Sequence, residues 1–403
     1  MSKKILWCSD AWQLPTGYSQ VSRNVISNLY KAGFDTTYLS FQNVGFPSNL
    51  MISERMIAAY NIIFPIHPNE SYGNQGSVEF WNNDLKPEIT AFLADSFMIK
   101  WMADNVEIDG KQAKRRARLG GKTLFYFPLD SQDCYDGVEQ VMNVMDIRVA
   151  MSKWSQEKLK KGTGIDSHYI PHGVDNHIYR PYPEEIRDQL RKQNNWEGKF
   201  VVGSVGRNQS RKNIPNLMKA FQIFADGKDD AILFLHCDPK DPNGTDLIDL
   251  SKRLGIENQT VFGMKRFSLG VTETRMNMVY NTMDVHCLST TGEGFGLPIV
   301  ESMSAGVPNI CTDYTTAREL IEGHGELVDL AKGSPYIVGQ LNTNRAMVDY
   351  EDMAKKIEKL YNNESLRKKY SKLGRKHVIE NYSWDRVLRM WINLIERGEA
   401  TDV

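Results

Sequence analysis

Short apolar runs of strand length alternate with helix-length patterns along the whole chain. The strand candidates are Lys4–Ser9, Thr36–Phe41, Asn61–Pro65, Ile89–Ala94, Thr123–Phe127, Ile147–Met151 and His168–Ile170. The second half continues with Phe200–Val205, Ala231–His236, Thr260–Phe262, Val285–Ser289, Pro308–Thr312 and Glu326–Asp329. Helical segments between most of them predict parallel sheets with crossover helices on both faces. A chain of 403 residues exceeds a single core. The expected fold class is therefore α/β, with two doubly wound, Rossmann-like domains. Pro181 and Pro183 interrupt any continuing element. They divide the chain into 1–180 and 181–383, followed by a segment 384–403. In that segment Val387, Leu388, Met390, Trp391 and Leu394 give an amphipathic helix that is expected to pack back on the first domain.

Lysine and arginine number 49 against 50 acidic residues, a balance that excludes a generally basic nucleic-acid binder. Five cysteines are scattered without C-x-x-C spacing, and four lie in or beside apolar strand-like runs, which predicts reduced core thiols. No stretch reaches the ~18 apolar residues of a bilayer span and no signal pattern opens the chain, so the expectation is a cytoplasmic protein.

Chemistry concentrates in loops that follow strands, where open α/β sheets bind ligands. Residues 290–301 read Thr-Thr-Gly-Glu-Gly-Phe-Gly-Leu-Pro-Ile-Val-Glu. Glu293 precedes a helix start and Glu301 lies about a turn inside it. Pro298 suits the first helical position, and free N–H groups there favour an anion. Hydroxyl acceptors on either side of an anion site outline a nucleotide sugar. After an earlier strand, Gly206-Arg207-Asn208-Gln209-Ser210-Arg211-Lys212-Asn213 holds three cations. Arg207 and Lys212 flank its turn and can face a diphosphate. The chain has no D-x-D pair for a divalent ion, and His168, His172 and His177 lack carboxylate partners at ligand spacing. No metal or cofactor is expected, and the cationic loop is the candidate phosphate holder.

Glu293-x7-Glu301, the Arg207/Lys212 loop, Ile170-Pro171-His172-Gly173-Val174-Asp175 and Tyr382-Ser383-Trp384 together resemble the retaining glycosyltransferases of family four, which have the GT-B fold. The resemblance is strong from about Tyr169 onward; earlier residues match by architecture and by the loop of Gly17. It implies an acceptor-binding first domain, a nucleotide-sugar-binding second domain and a cleft between them, with a nucleoside-diphosphate sugar, UDP- or GDP-linked, as donor. It gives Glu301 the ribose hydroxyls and Glu293 the donor sugar near the reacting carbon. The amides of Phe295, Gly296 and Leu297 would meet sugar and diphosphate, Arg207 and Lys212 would neutralise the leaving diphosphate, and Gly17 would let the first loop approach the phosphates. The base would lie near Phe262–Arg266.

One departure is evident. Where many members carry a histidine near the acceptor, this chain reads Phe125-Tyr126-Phe127-Pro128-Leu129-Asp130. Asp130 can take part of that role or serve only as a turn or cap residue before Ser131. The acceptor is open: a glycan, lipid, protein or modified nucleic acid. The cations from Lys111 to Arg118, with Lys122, lie on an expected helix, where they can guide a polyanion or form a solvated face. The competing readings are a phosphorylase-type enzyme, which needs pyridoxal phosphate and a longer chain, and a nucleotide-sugar-binding protein with a degraded site. The oligomeric state is not set by the sequence.

Overall fold

The computed structural model describes residues 2–42, 61–66, 75–108, 110–134, 136–264, 270–338 and 343–401. They form two compact units. The first comprises Met1–Leu129, Asp133–His172 and Asp385–Val403, the second Asp130–Gln132 and Gly173–Trp384. The line drawn at the prolines falls eight residues beyond His172, so that Gly173–Arg180 as well as Asp130–Gln132 of the expected first domain group with the second unit.

In the first unit the strands are β1 (Lys4–Ser9), β2 (Asp35–Ser40), β3 (Asn61–Ile63), β4 (Ile89–Leu93), β5 (Asn105–Ile108), β6 (Lys111–Lys114), β7 (Lys122–Phe127), β8 (Ile147–Ala150) and β9 (His168–Tyr169). A seven-stranded parallel sheet has the order β3-β2-β1-β4-β7-β8-β9, and β5 and β6 form a separate antiparallel pair. The second unit has β10 (Phe200–Val205), β11 (Ala231–His236), β12 (Thr260–Phe262), β13 (Val285–Leu288), β14 (Asn309–Thr312), β15 (Glu326–Val328) and the antiparallel pair β16 (Tyr336–Val338) and β17 (Thr343–Arg345). Its six parallel strands run β12-β11-β10-β13-β14-β15. The fold class is the expected one, two doubly wound α/β sheets.

All residues of β10 and β11 are buried, as strands covered by helices on both faces must be. The helix Ile214–Ala225 turns Ile214, Leu217, Phe221 and Phe224 into the core at helical spacing, beside the helix Tyr350–Tyr361. In the first unit the C-terminal helix Trp384–Arg397 buries Val387, Met390, Trp391 and Leu394. The Trp391 ring meets the edges of Trp7 and Tyr126 at 5.6 and 5.0 Å, and Lys3 Nζ donates to the Ile395 carbonyl at 2.6 Å. No described helix is long and apolar enough to cross a membrane. Cys8, Cys237, Cys287 and Cys311 are buried, Cys134 is partly exposed, and none is in a disulfide.

The basic run departs from its expected helix. Lys111–Lys114 form a strand and Arg115–Arg118 a short 3-10 turn. The hairpin with Asn105–Ile108 overrides the charge pattern, and a single turn cannot align these cations along one helical face. Glu79 pairs with Arg115 and Arg118 at 2.9 and 3.4 Å, and Asp146 pairs with Arg116. Half of the run's positive charge is thus already answered within the unit.

In both sheets the order reverses beside the first strand, between β1 and β4 and between β10 and β13. Ligands of doubly wound sheets bind outside the carboxyl ends of strands at this reversal. The loops after β10 and β13 therefore occupy the place where a site is expected in the second unit.

Candidate active site

Beyond β10, Arg207 points two nitrogens at one carboxylate: Nε donates to Asp241 Oδ2 at 2.6 Å and Nη2 to Oδ1 at 3.3 Å. Burial would raise the Asp241 carboxyl, but Arg207 and the Asn243 amide bring it below the usual range. The loop closes with a single turn, Ser210–Lys212, and a left-handed Asn213 before the helix Ile214–Ala225. The loop after β13 is stitched to it through main-chain acceptors. The Arg211 carbonyl takes the Thr291 amide at 2.8 Å and the Thr291 hydroxyl at 3.1 Å, and Ser289 Oγ donates to the carbonyls of Lys212 and Asn213 at 3.0 Å. Buried backbone needs such partners, and here they lock the two loops in register.

Glu293 sits where they meet. Its carboxylate is buried, with Lys212 Nζ at 2.6 Å from Oε1 and Arg211 Nη1 at 3.2 Å from Oε2. Burial alone would raise this carboxyl; Lys212 and Arg211 outweigh it and hold it down to about 2. Lys212 is pushed down by burial and by Arg211 against the pull of Glu293. With the carboxyl held so low, Glu293 is ionised at neutral pH. Arg211 Nη1 also donates to the Gly292 carbonyl at 2.5 Å. Its Nε lies 3.7 Å from Asp130, whose carboxylate takes Arg345 Nη1 at 2.9 Å. The charged cluster thus runs Lys212, Glu293, Arg211, Asp130, Arg345.

The backbone around Glu293 is equally constrained. A Cβ on Gly292 would lie 1.9 Å from the Asp130 carbonyl oxygen, so a side chain has no room there. The Glu293 amide donates to Thr315 Oγ1 at 2.9 Å, and Thr315 itself adopts a φ of 53°. A β-branched residue rarely takes that conformation, and strain of this kind gathers at functional sites.

Gly296, at φ 107°, precedes the helix Leu297–Ser304. Pro298 is the second helical residue rather than the first, because the helix opens one position earlier, at Leu297. Pro still suits the first turn, whose N–H groups have no helical acceptor. The Phe295 ring is buried edge-on to Tyr382 at 5.7 Å, and the Phe295 carbonyl accepts from Thr316 Oγ1 at 2.7 Å. Glu301 is buried on the helix and accepts from Tyr280 OH at 2.7 Å. Burial and the adjacent Glu301 raise the Tyr280 phenol well above its ordinary value, so it remains a neutral donor.

Arg207, Lys212, Glu293, Phe295, Gly296, Leu297 and Glu301 thus all lie on the two loops and the helix at the second unit's strand reversal, and Asp130 groups with them. Gly17 belongs to the first unit, where it opens the helix Gly17–Lys31 behind the cap Thr16. Of the loop Phe262–Arg266 expected near the base, residues 265 and 266 lie outside the described residues. Arg211, Tyr280 and Arg345 join the site without having been assigned a role from sequence. Arg211 was legible as a third cation in its loop; Tyr280 and Arg345 come from distant segments that carry no local signal. Among the described residues no group of His, Cys, Asp and Glu is placed to hold a metal ion.

Residues 186–377 match the family described as Glycosyl transferases group 1. Mannosylfructose-phosphate synthase of Agrobacterium fabrum is 24% identical over 236 residues, 57% of this chain and 47% of that protein. The chain spans about half the length of the curated relatives it matches. Two solved structures share the fold. Sucrose-phosphate synthase of Thermosynechococcus elongatus superposes with a TM-score of 0.74 at 15% identity, covering 98% of this chain and 99% of that one. HepE of Anabaena, in complex with UDP and glucose, gives 0.73 at 16% identity with the same coverage.

Proposed function

We propose that this protein is a retaining glycosyltransferase. It moves a hexose or related sugar from a nucleoside-diphosphate sugar, UDP- or GDP-linked, to an acceptor hydroxyl. The observation that carries the reading is the buried, ionised Glu293 between Lys212 and Arg211, one short loop ahead of a helix start and of the buried Glu301.

In this reading the diphosphate lies against the opening of the helix Leu297–Ser304, where the amides of Gly296 and Leu297 and the positive helix end favour an anion. Lys212 and Arg207 neutralise it as it leaves. Glu301, held by Tyr280, takes the ribose hydroxyls, and Glu293 takes the sugar. Gly17 and retention of configuration enter on the strength of the resemblance alone. The HepE complex supports UDP as the first base to try. The pairing of Arg115, Arg116 and Arg118 with acids gives a polyanionic acceptor no support.

The test is a thermal-shift screen with UDP-, GDP- and ADP-sugars. A donor that binds the folded state raises Tm by mass action, and the right base should show the largest rise. Product analysis with that donor then reads the anomeric configuration. No shift with any nucleotide sugar would sink the reading.

A further inference from the structure

In the second unit one carboxylate has two cations, and one of those cations is also assigned to a ligand. Glu293 holds Lys212 on Oε1 at 2.6 Å and Arg211 on Oε2 at 3.2 Å. Lys212 is the more deeply placed of the two; its side chain is 12% exposed against 32% for Arg211. A lysine in this position reaches a diphosphate only by loosening its hold on Glu293. Leaving a buried carboxylate without a counter-cation is strongly destabilising, enough to offset much of what a phosphate contact contributes.

Arg211 removes that penalty. Its guanidinium is anchored on three sides, by Glu293, by the Gly292 carbonyl at 2.5 Å and by Asp130 at 3.7 Å. Asp130 is in turn fixed by Arg345, whose Nη1 reaches both its carboxylate at 2.9 Å and its carbonyl at 2.7 Å. A planar guanidinium with several directed donors serves three acceptors at once, which an ammonium on a flexible stem does not. Arg211 therefore stays in place when Lys212 moves.

We infer that Arg211 is a positioning residue that acts as the reserve counter-cation of Glu293, releasing Lys212 to the donor diphosphate, and that Asp130 and Arg345 serve to hold Arg211. The inference rests on the nucleotide-sugar reading. It assigns Asp130 to the donor side of the site and gives it no proton to take from an acceptor.

The test is a double-mutant cycle on diphosphate binding, measured by calorimetry with UDP, GDP, ADP and inorganic pyrophosphate as probes. Arg211→Met should weaken binding of the best probe tenfold or more, because Lys212 is then kept by Glu293. In a Glu293→Gln background, where the neutral amide needs no cation, the same Arg211→Met change should cost less than threefold. Arg211→Lys keeps the charge but not the planar fork, so it should weaken binding by about threefold, less than Arg211→Met, and this loss should likewise shrink in the Glu293→Gln background; it carries the test if Arg211→Met does not fold. Equal losses in both backgrounds would mean that Arg211 binds the phosphate itself, which overturns the inference. A lower Tm with unchanged affinity would overturn it as well. If the wild-type protein binds none of the four probes, the nucleotide-sugar reading falls and takes this inference with it. If the wild type binds and Arg211→Met binds equally well, only the inference falls.

Discussion

The two units share one architecture and differ in what joins their loops where the strand order reverses. In the first, the acids are met by hydroxyls and an amide, Thr16 donating to Asp10 at 3.0 Å, Gln42 to Asp10 at 3.0 Å and Tyr18 to Asp95 at 2.8 Å, while Arg23 donates to main-chain carbonyls of the loop, those of Trp12 and Leu14. In the second, the loops are joined by ion pairs centred on Glu293. The same topology therefore yields acids met by neutral donors in one unit and a carboxylate met by cations in the other. On the proposed function, the latter is the place that meets a doubly charged diphosphate. Topology sets where a ligand is received; the side chains at that point decide which ligand.

The sharpest way to break this contrast is Glu293→Gln. With a donor and acceptor identified, kcat/KM should fall by about 10³-fold or more, on the order of 4 kcal/mol of transition-state stabilisation, and Tm should fall as well because the buried ion pairs go with the charge. A loss of stability with unchanged turnover would make the cluster structural only. Next comes Gly292→Ala. Its Cβ would meet the Asp130 carbonyl, so a loss of about 3 kcal/mol or failure to fold is expected. Gly164→Ala in the first unit, at positive φ but with nothing within 4 Å, should cost only about 1 kcal/mol. Equal losses in chemical denaturation would show that the close approach at Gly292 is not what constrains the loop.

Acid should separate the units by a smaller amount. Burial lowers His172 to about 3 in the first unit, and His286 and His236 to about 4 in the second. Lesser downward shifts fall on His168 and His324, one in each unit. A histidine with a depressed folded pKa favours the fold above the unfolded value near 6.5 and loses that contribution as pH falls toward the folded one. At pH 5 His172 and His286 should each have lost about 2 kcal/mol. Glu293 keeps its contribution until pH drops below about 4.5 and loses it toward 2. The second unit, with more such groups, should unfold first on acidification, read by hydrogen exchange in each sheet. The reverse order would count against it. Smallest is Tyr280→Phe, which leaves buried Glu301 without this donor and should cost about 1–2 kcal/mol in stability or in nucleotide affinity.

The strands were legible because helices cover both sheet faces, which turns each strand into a short apolar run; Phe200–Val205 and Ala231–His236 match the expected ranges residue for residue. The two small hairpins were not, because Lys111–Lys114 is polar and exposed and follows neither strand periodicity nor burial. In the site, Glu293, Glu301, Arg207 and Lys212 were visible because glycine turns and a helix start announce themselves locally. The pairing of Arg207 with Asp241, of Tyr280 with Glu301 and of Arg345 with Asp130 was not visible. Those partners lie 34, 21 and 215 residues apart, and nothing local selects them.

The charged cluster also bears on how the chain acquires its structure. Residues 130, 211, 293 and 345 meet at one point. Contacts of such long sequence separation follow the closing of long loops, and Arg345 leaves the ribosome after the whole six-stranded sheet has been made. The cluster is therefore among the last features of the second unit to assemble. Recovery of nucleotide binding during refolding should lag behind the return of secondary structure, and binding would then report a finished fold rather than a merely collapsed one.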